Sequence, residues 1–184
     1  MSVVLPPVIY GYGDQRTQDH GYGCTYRNIQ TMLGILGVTL VPTVRELMSD
    51  MNIAYTPQFK QRMWIEPIQA KELIERYTGK KMMTALYTKD TQKAQRRILR
   101  NLSSEYQHIT PNRAKFDHLV RRGITLGAPV LIDNGISSYL ILGKEGDKYV
   151  IGDPHEEDPT RRVKRMSMDN FYQNHTVWMA TMLR

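Results

Sequence analysis

Apolar positions set a helical period through the first part of the chain. Ile29, Met32, Leu33 and Leu36 recur at i, i+3, i+4 and i+7, one buried helical face, and predict a helix over 24–36 that stops at Gly37. Thr43 with Glu46 three residues on forms a capping box and opens a short helix to about 51. Residues 52–66 have weak periodicity. Pro67 in a first turn and Gly79 past a last one frame a helix to about 77, with Ile68, Leu73 and Ile74 as its apolar face. Residues 81–87 read as a strand. Asp90 caps a basic helix carrying Arg96, Arg97 and Arg100 beside Ile98, Leu99 and Leu102, and Thr110-Pro111 starts another through Phe116, Leu119 and Val120 that ends at Gly123.

The period then changes. Residues 129–133, 138–142 and 148–151 are short strands separated by Asn134-Gly135 and Glu145-Gly146-Asp147 turns, 156–166 is a charged loop, and 177–182 is a last strand. Helices fill the first two-thirds and strands the last third. That segregation predicts an α+β fold, N-terminal helices on a mainly antiparallel sheet drawn from the C-terminal third. No repeat, low-complexity run or linker divides residues 1–184, which read as a single domain.

The chain has one cysteine, Cys24, which excludes a disulfide framework and Cys-rich metal sites and fits a reducing compartment. The first residues are too short and proline-broken for a signal peptide, and no apolar run is long enough to span a membrane. A cytoplasmic monomer with no cofactor, no metal and no membrane insertion is expected. The net charge is +7, from 25 Lys+Arg against 18 Asp+Glu. These basic residues are scattered and not interleaved with aromatics, so they read as a solvated surface and not as a nucleic-acid site.

Cys24 follows Gly21-Tyr22-Gly23 and opens the first helix. There it meets unpaired N–H groups and the positive end of the helix dipole, which favour the nucleophilic thiolate. A buried, inert cysteine is the other reading, and this stretch alone does not choose between them. Asp153-Pro154-His155 follows a strand. Residues two apart in an extended segment share a side, so the carboxylate can orient the imidazole. With Cys24 they make a Cys–His–Asp set of the kind that performs nucleophilic catalysis. His20 is the rival base; His155 is favoured because nucleophile and base usually come from separate elements. An oxyanion needs donors, for which the Cys24 N–H and a phenol from Tyr10 or Tyr12 are candidates.

These residues carry a resemblance. Gly21-Tyr22-Gly23-Cys24-Thr25-Tyr26-Arg27 resembles the nucleophile motif of the Ufm-specific protease family, papain-like cysteine peptidases that process or remove the ubiquitin-fold modifier. Asp153-Pro154-His155 resembles its Asp-Pro-His motif. The strands around Pro129–Gly135 and Leu140–Gly143, and Trp64-Ile65-Glu66, are similar to further segments. The resemblance implies a papain-like catalytic domain over 1–184, Cys24 as nucleophile, His155 as general base and acid, Asp153 as orienter and Tyr12 as oxyanion donor. It implies cleavage after the C-terminal glycine of a ubiquitin-like modifier, in precursors, conjugates or both. Tyr22, Glu156 and the Asp133-Asn134-Gly135 segment depart from the family's usual residues near the expected path of the substrate tail. A deubiquitinase branch takes its histidine from the strand before Asp-Pro; residues 137–139 contain none. A deubiquitinase or autophagy-modifier protease of the same fold, and a silent modifier-binding module, are the competing readings.

Overall fold

A computed structural model describes residues 8–89, 106, 108–173 and 177–184. Five α-helices appear among them: α1 (Cys24–Ile35), α2 (Val44–Asp50), α3 (Pro67–Thr78), α4 (Arg113–Thr125) and α5 (Met168–Gln173). The strands are β1 (Met82–Thr88), β2 (His108–Thr110), β3 (Val130–Asp133), β4 (Ser138–Glu145), β5 (Lys148–Gly152), β6 (Val163–Ser167) and β7 (Val177–Leu183). They form one sheet in the order β2-β1-β7-β3-β4-β5-β6. Neighbours are antiparallel except β1 and β2, which run parallel. No helix of the described residues is long and apolar enough to cross a membrane.

The alternation of side chains along each strand splits the core into two layers. Leu131, Leu140, Leu142 and Val150 face α1, α2 and α3, meeting Ile29, Leu33, Leu47 and Leu73. Their neighbours Val130, Ile132, Ile141, Tyr149 and Ile151 face the opposite way, against Phe116 and Val120 of α4 and the aromatic group Phe171, Tyr172 and Trp178. Helices therefore cover both faces.

The caps form as their residues dictate. The Thr43 side chain accepts the Glu46 N–H while Glu46 returns to the Thr43 N–H, closing the box on α2. Gly79 takes φ +67° and donates to the Glu75 carbonyl at 2.9 Å, ending α3.

Three expectations are corrected. The sheet is not confined to the last third: β1 and β2, from the middle of the chain, extend it through the seven-residue pairing of β1 with β7. The fourth helix starts later and passes Gly123, because Asn112 caps it through the Lys115 N–H and Gly123 faces inward; a Cβ there would meet Met182 and Val130 side chains at 2.9 Å. Glycine here permits close packing and does not end the helix. The charged stretch 156–166 contains the start of β6, whose Val163-Lys164-Arg165 carries too little apolar alternation to announce a strand, yet its backbone completes the ladder on β5. The expected basic helix from Asp90 lies outside the described residues.

Candidate active site

The first turn of α1 is fixed from two sides. Arg27, fully buried, holds equally buried Asp19 at 2.5 Å and also reaches the Asp14 carbonyl and Gln30. Asp19 in turn accepts the Gly13 N–H on its side chain and the Gly23 N–H on its carbonyl. A Cβ on Gly23 would lie 2.5–2.8 Å from the Asp19 carboxyl, so only glycine lets the loop close on the helix start. On the other side, Thr25 and Asn28 each donate to Ser138 Oγ at 3.0 Å, pinning α1 to the beginning of β4.

Cys24 therefore sits between the N-terminal loop and the sheet. His155 arrives from the end of β5. The Asp153 N–H is bonded to the Arg162 carbonyl at 2.8 Å, and Asp153 Oδ1 accepts both the His155 N–H at 3.0 Å and the His155 Nδ1 at 2.7 Å. That occupies Nδ1 and leaves Nε2 free for the neighbouring Cys24, whose interaction with the imidazole favours its charged form. Tyr12 completes the group. Its N–H donates to the Pro154 carbonyl at 2.9 Å, its ring meets His155 edge-on at 5.3 Å, and it lines the same cleft as Cys24. Arg162, 2 % exposed, staples these segments, binding Asp14 with both guanidinium nitrogens and the carbonyls of Ile9, Glu156 and Glu157.

The electrostatics follow from these contacts. Burial acts to raise the Cys24 thiol, but hydrogen bonds from His155 and Ser138 outweigh it and hold it below its ordinary value. Burial acts against the His155 imidazolium, yet Asp153 and Cys24 push it up to about 9. Burial would likewise raise Asp153, but His155 and Lys164 hold it well below the usual carboxylate range. Between the two titrations the favoured state is a thiolate–imidazolium pair. Burial and the neighbouring sulfur raise the Tyr12 phenol, so it remains a donor.

A cleft of about 410 Å³ opens over the sulfur. Gly21, Tyr22 and Trp64 line it with Gly135, Ile136 and Ser137 from the β3–β4 turn. The Trp64 Nε1–H donates to the Gly21 carbonyl at 2.6 Å, which holds the indole in place. Asp133 also lines the cleft; burial pushes its carboxyl up to about 6, and Glu66 adds to the rise. Among the described residues no group of three or more His, Cys, Asp and Glu is placed to hold a metal ion.

All four sequence candidates, Cys24, Asp153, His155 and Tyr12, are thus brought together. The rival His20 is bonded to Glu157 at 2.7 Å, and its ring lies tilted against Tyr12 at 4.9 Å. The Tyr10 N–H is bonded to Thr31 Oγ1, and Tyr10 lines a separate pocket with Ile9 and Arg162. Sequence reasoning missed Ser138 and Lys164. A serine opening a strand and a lysine in a charged run carry no local signal, and only the pairing of β4, β5 and β6 brings them to the site.

A thiol at a helix start against an antiparallel sheet, with its imidazole and carboxylate at the end of a strand, is the arrangement of papain-like cysteine peptidases. The chain belongs to peptidase family C78, whose sequence pattern matches residues 2–181. It is 25% identical over 158 residues to Ufm1-specific protease 2 of Rattus norvegicus, covering 78% of this chain and 30% of that protein. The crystal structure of UfSP from C. elegans is similar at a TM-score of 0.64 and 20% identity, covering 100% of this chain and 34% of that one. That likeness establishes the fold. The chain spans about a third of the length of either relative.

Proposed function

We propose that this chain is a thiol-dependent peptidase or isopeptidase that cleaves after the C-terminal glycine of a ubiquitin-like modifier, the ubiquitin-fold modifier above all. The observation that carries the reading is the meeting of Cys24, His155 and Tyr12 in one cleft of a family C78 chain, with Asp153 bonded to His155. The Cys24 thiolate attacks the glycine carbonyl, forming a C–S bond and an oxyanion that accepts from the Tyr12 hydroxyl and the Cys24 N–H. The His155 imidazolium gives its proton to the amine nitrogen as the C–N bond breaks. Neutral His155 then takes a proton from water as that water attacks the thioester, and the C–S bond breaks to restore the thiolate. A tail ending in glycine suits walls made of Gly21 and Trp64 on one side and Gly135 and Ile136 on the other. The catalytic cysteine must stay reduced, which fits the cytoplasm, and one chain supplies all four groups, which fits a monomer.

The test is intact-mass analysis after incubation with the ubiquitin-fold modifier carrying a C-terminal propargyl group. One adduct is expected on the wild-type protein and none on Cys24→Ala. Labelling by a ubiquitin or autophagy-modifier probe in its place would reassign the substrate. No adduct from any of them, on a protein whose cysteine is free to iodoacetamide, would overturn the reading.

Tyr12→Phe removes one oxyanion donor without emptying the ring's place against His155. Its kcat is expected to fall about 10²–10³-fold with little change in KM, measured on a modifier with a fluorogenic C-terminal amide. A loss confined to KM would give Tyr12 a binding role instead.

A further inference from the structure

Two oxygens of Asp153 do different work. Oδ1 takes both His155 donors, while Oδ2 accepts Lys164 Nζ at 2.7 Å. Lys164 stands on β6 opposite Ile151 of β5, two residues before the carboxylate it reaches. Its ammonium also donates to Glu156 Oε1 at 2.7 Å, and Glu156 is the residue after His155. The Glu156 backbone is itself held, since its carbonyl accepts Arg162 Nε at 2.8 Å. Lysine loses considerable rotamer freedom when fixed, and a single exposed ion pair seldom compensates. Here two carboxylates hold one ammonium between them, one of them only 12% exposed.

We propose that Lys164, held by Glu156, is a positioning residue of this site: it fixes the Asp153 carboxylate against His155 and offsets its charge. The proposal rests on the peptidase reading. His155 holds Oδ1 by two donors from one side while the ammonium holds Oδ2 from the other. An uncompensated carboxylate would favour the imidazolium too strongly. In the first half of the cycle that does no harm, because the histidine must be protonated to pair with the thiolate and to protonate the leaving amine. In the second half the sulfur is acylated and no longer anionic, and His155 must be neutral to accept a proton from water. A cation on the far side of Asp153 eases that loss of the proton.

The groups facing this relay come from every neighbouring element. Cys24, Tyr12 and Tyr139 face the imidazole, the rings of the last two at 5.3 and 5.1 Å. Arg161 lies 3.9 Å from Glu156, and His20 lies beyond Tyr12. Arg162 is committed to Asp14 and to backbone carbonyls, and Arg161 is the remaining cation of this group. It is 69% exposed and touches Glu156, not Asp153, so it does not replace Lys164.

p-Nitrophenyl acetate tests this without any modifier. It acylates the thiolate in a burst of nitrophenolate, and the slower steady rate reports deacylation. For Lys164→Met the burst is expected to persist. The pH midpoint of deacylation should rise by about half a unit, making the steady rate about threefold slower below it. Lys164→Gln, which keeps a donor but drops the charge, should show the same rise, and Lys164→Arg should restore the wild-type midpoint. A midpoint unmoved in Met and Gln variants with wild-type melting curves overturns the proposal. So does failure of arginine to restore it. A wild-type protein that gives no burst overturns the peptidase reading and this proposal with it, whereas a normal burst with deacylation indifferent to Lys164 removes only the latter.

Discussion

Replacing His155 with alanine is expected to cut turnover at least about 10³-fold and to move the reactivity of Cys24 to higher pH. The sign follows from the contacts. The hydrogen bond from His155 is the largest influence holding the thiol down against burial. Without it burial prevails, and the pH midpoint for alkylation by iodoacetamide should rise by about one to three units. The chain has a single cysteine, so adduct mass reads this group alone. In the wild-type protein the alkylation rate should reach its plateau at lower pH than for an ordinary thiol and stay high above it, because the thiolate persists. Turnover behaves differently: it should fall as pH rises through the His155 titration at about 9, where the leaving amine loses its proton donor. An alkylation profile unchanged by His155→Ala would mean that the thiolate is not paired with this imidazole, and the proposed mechanism would fail.

The second large effect is on stability. Arg27→Met leaves Asp19 buried without its cation; both side chains of the pair are 0% exposed. Breaking such a pair from one side costs about 3–5 kcal/mol. For a chain of this size that lowers the melting temperature by on the order of 10 °C. Urea denaturation should give the same loss of free energy from a lower midpoint at similar slope. The pair also aligns the loop before Cys24, through the Gly13 and Gly23 N–H groups on Asp19, so turnover measured well below the melting range should fall as well. The double variant Asp19→Asn with Arg27→Met should recover part of the stability, since no charge is then left unpaired. A single variant as stable as the wild type would show that the pair contributes no net free energy.

Much of the site could be read from residue order. Cys24 behind Gly21-Tyr22-Gly23 announced a helix start, and Asp153-Pro154-His155 announced a carboxylate and an imidazole on one side of an extended segment. Both are short-range facts of backbone geometry, which is why they need no tertiary information. The choice between Tyr10 and Tyr12 was open on residue physics, although the family resemblance favoured Tyr12. In the structure it is Tyr12 whose ring stands against His155, its N–H bonded to the Pro154 carbonyl across a long stretch of chain. His20 likewise was a neighbour of Cys24 in sequence, but Glu157 holds it elsewhere.

The elements divide the same way. Helices with caps and an apolar stripe, such as α2 and α3, fall where their residues placed them. β2 and β6 did not show themselves, because a short or charged strand is stabilised by the neighbour it joins and not by its own composition. The misread end at Gly123 has the same origin. A glycine can stop a helix or admit a strand against it, and only the position of Met182 and Val130 tells which.

By itself the chain determined the helical and extended segments that carry their own caps and periods, the class of nucleophile, and the carboxylate beside its base. The tertiary structure alone decided that β1 and β2 belong to the sheet, that Arg27 and Arg162 lock the loops, and that Ser138 and Lys164 reach the reacting groups. The reason is range: capping and periodicity act within a few residues, whereas strand pairing and buried charge depend on partners that only the folded chain brings near.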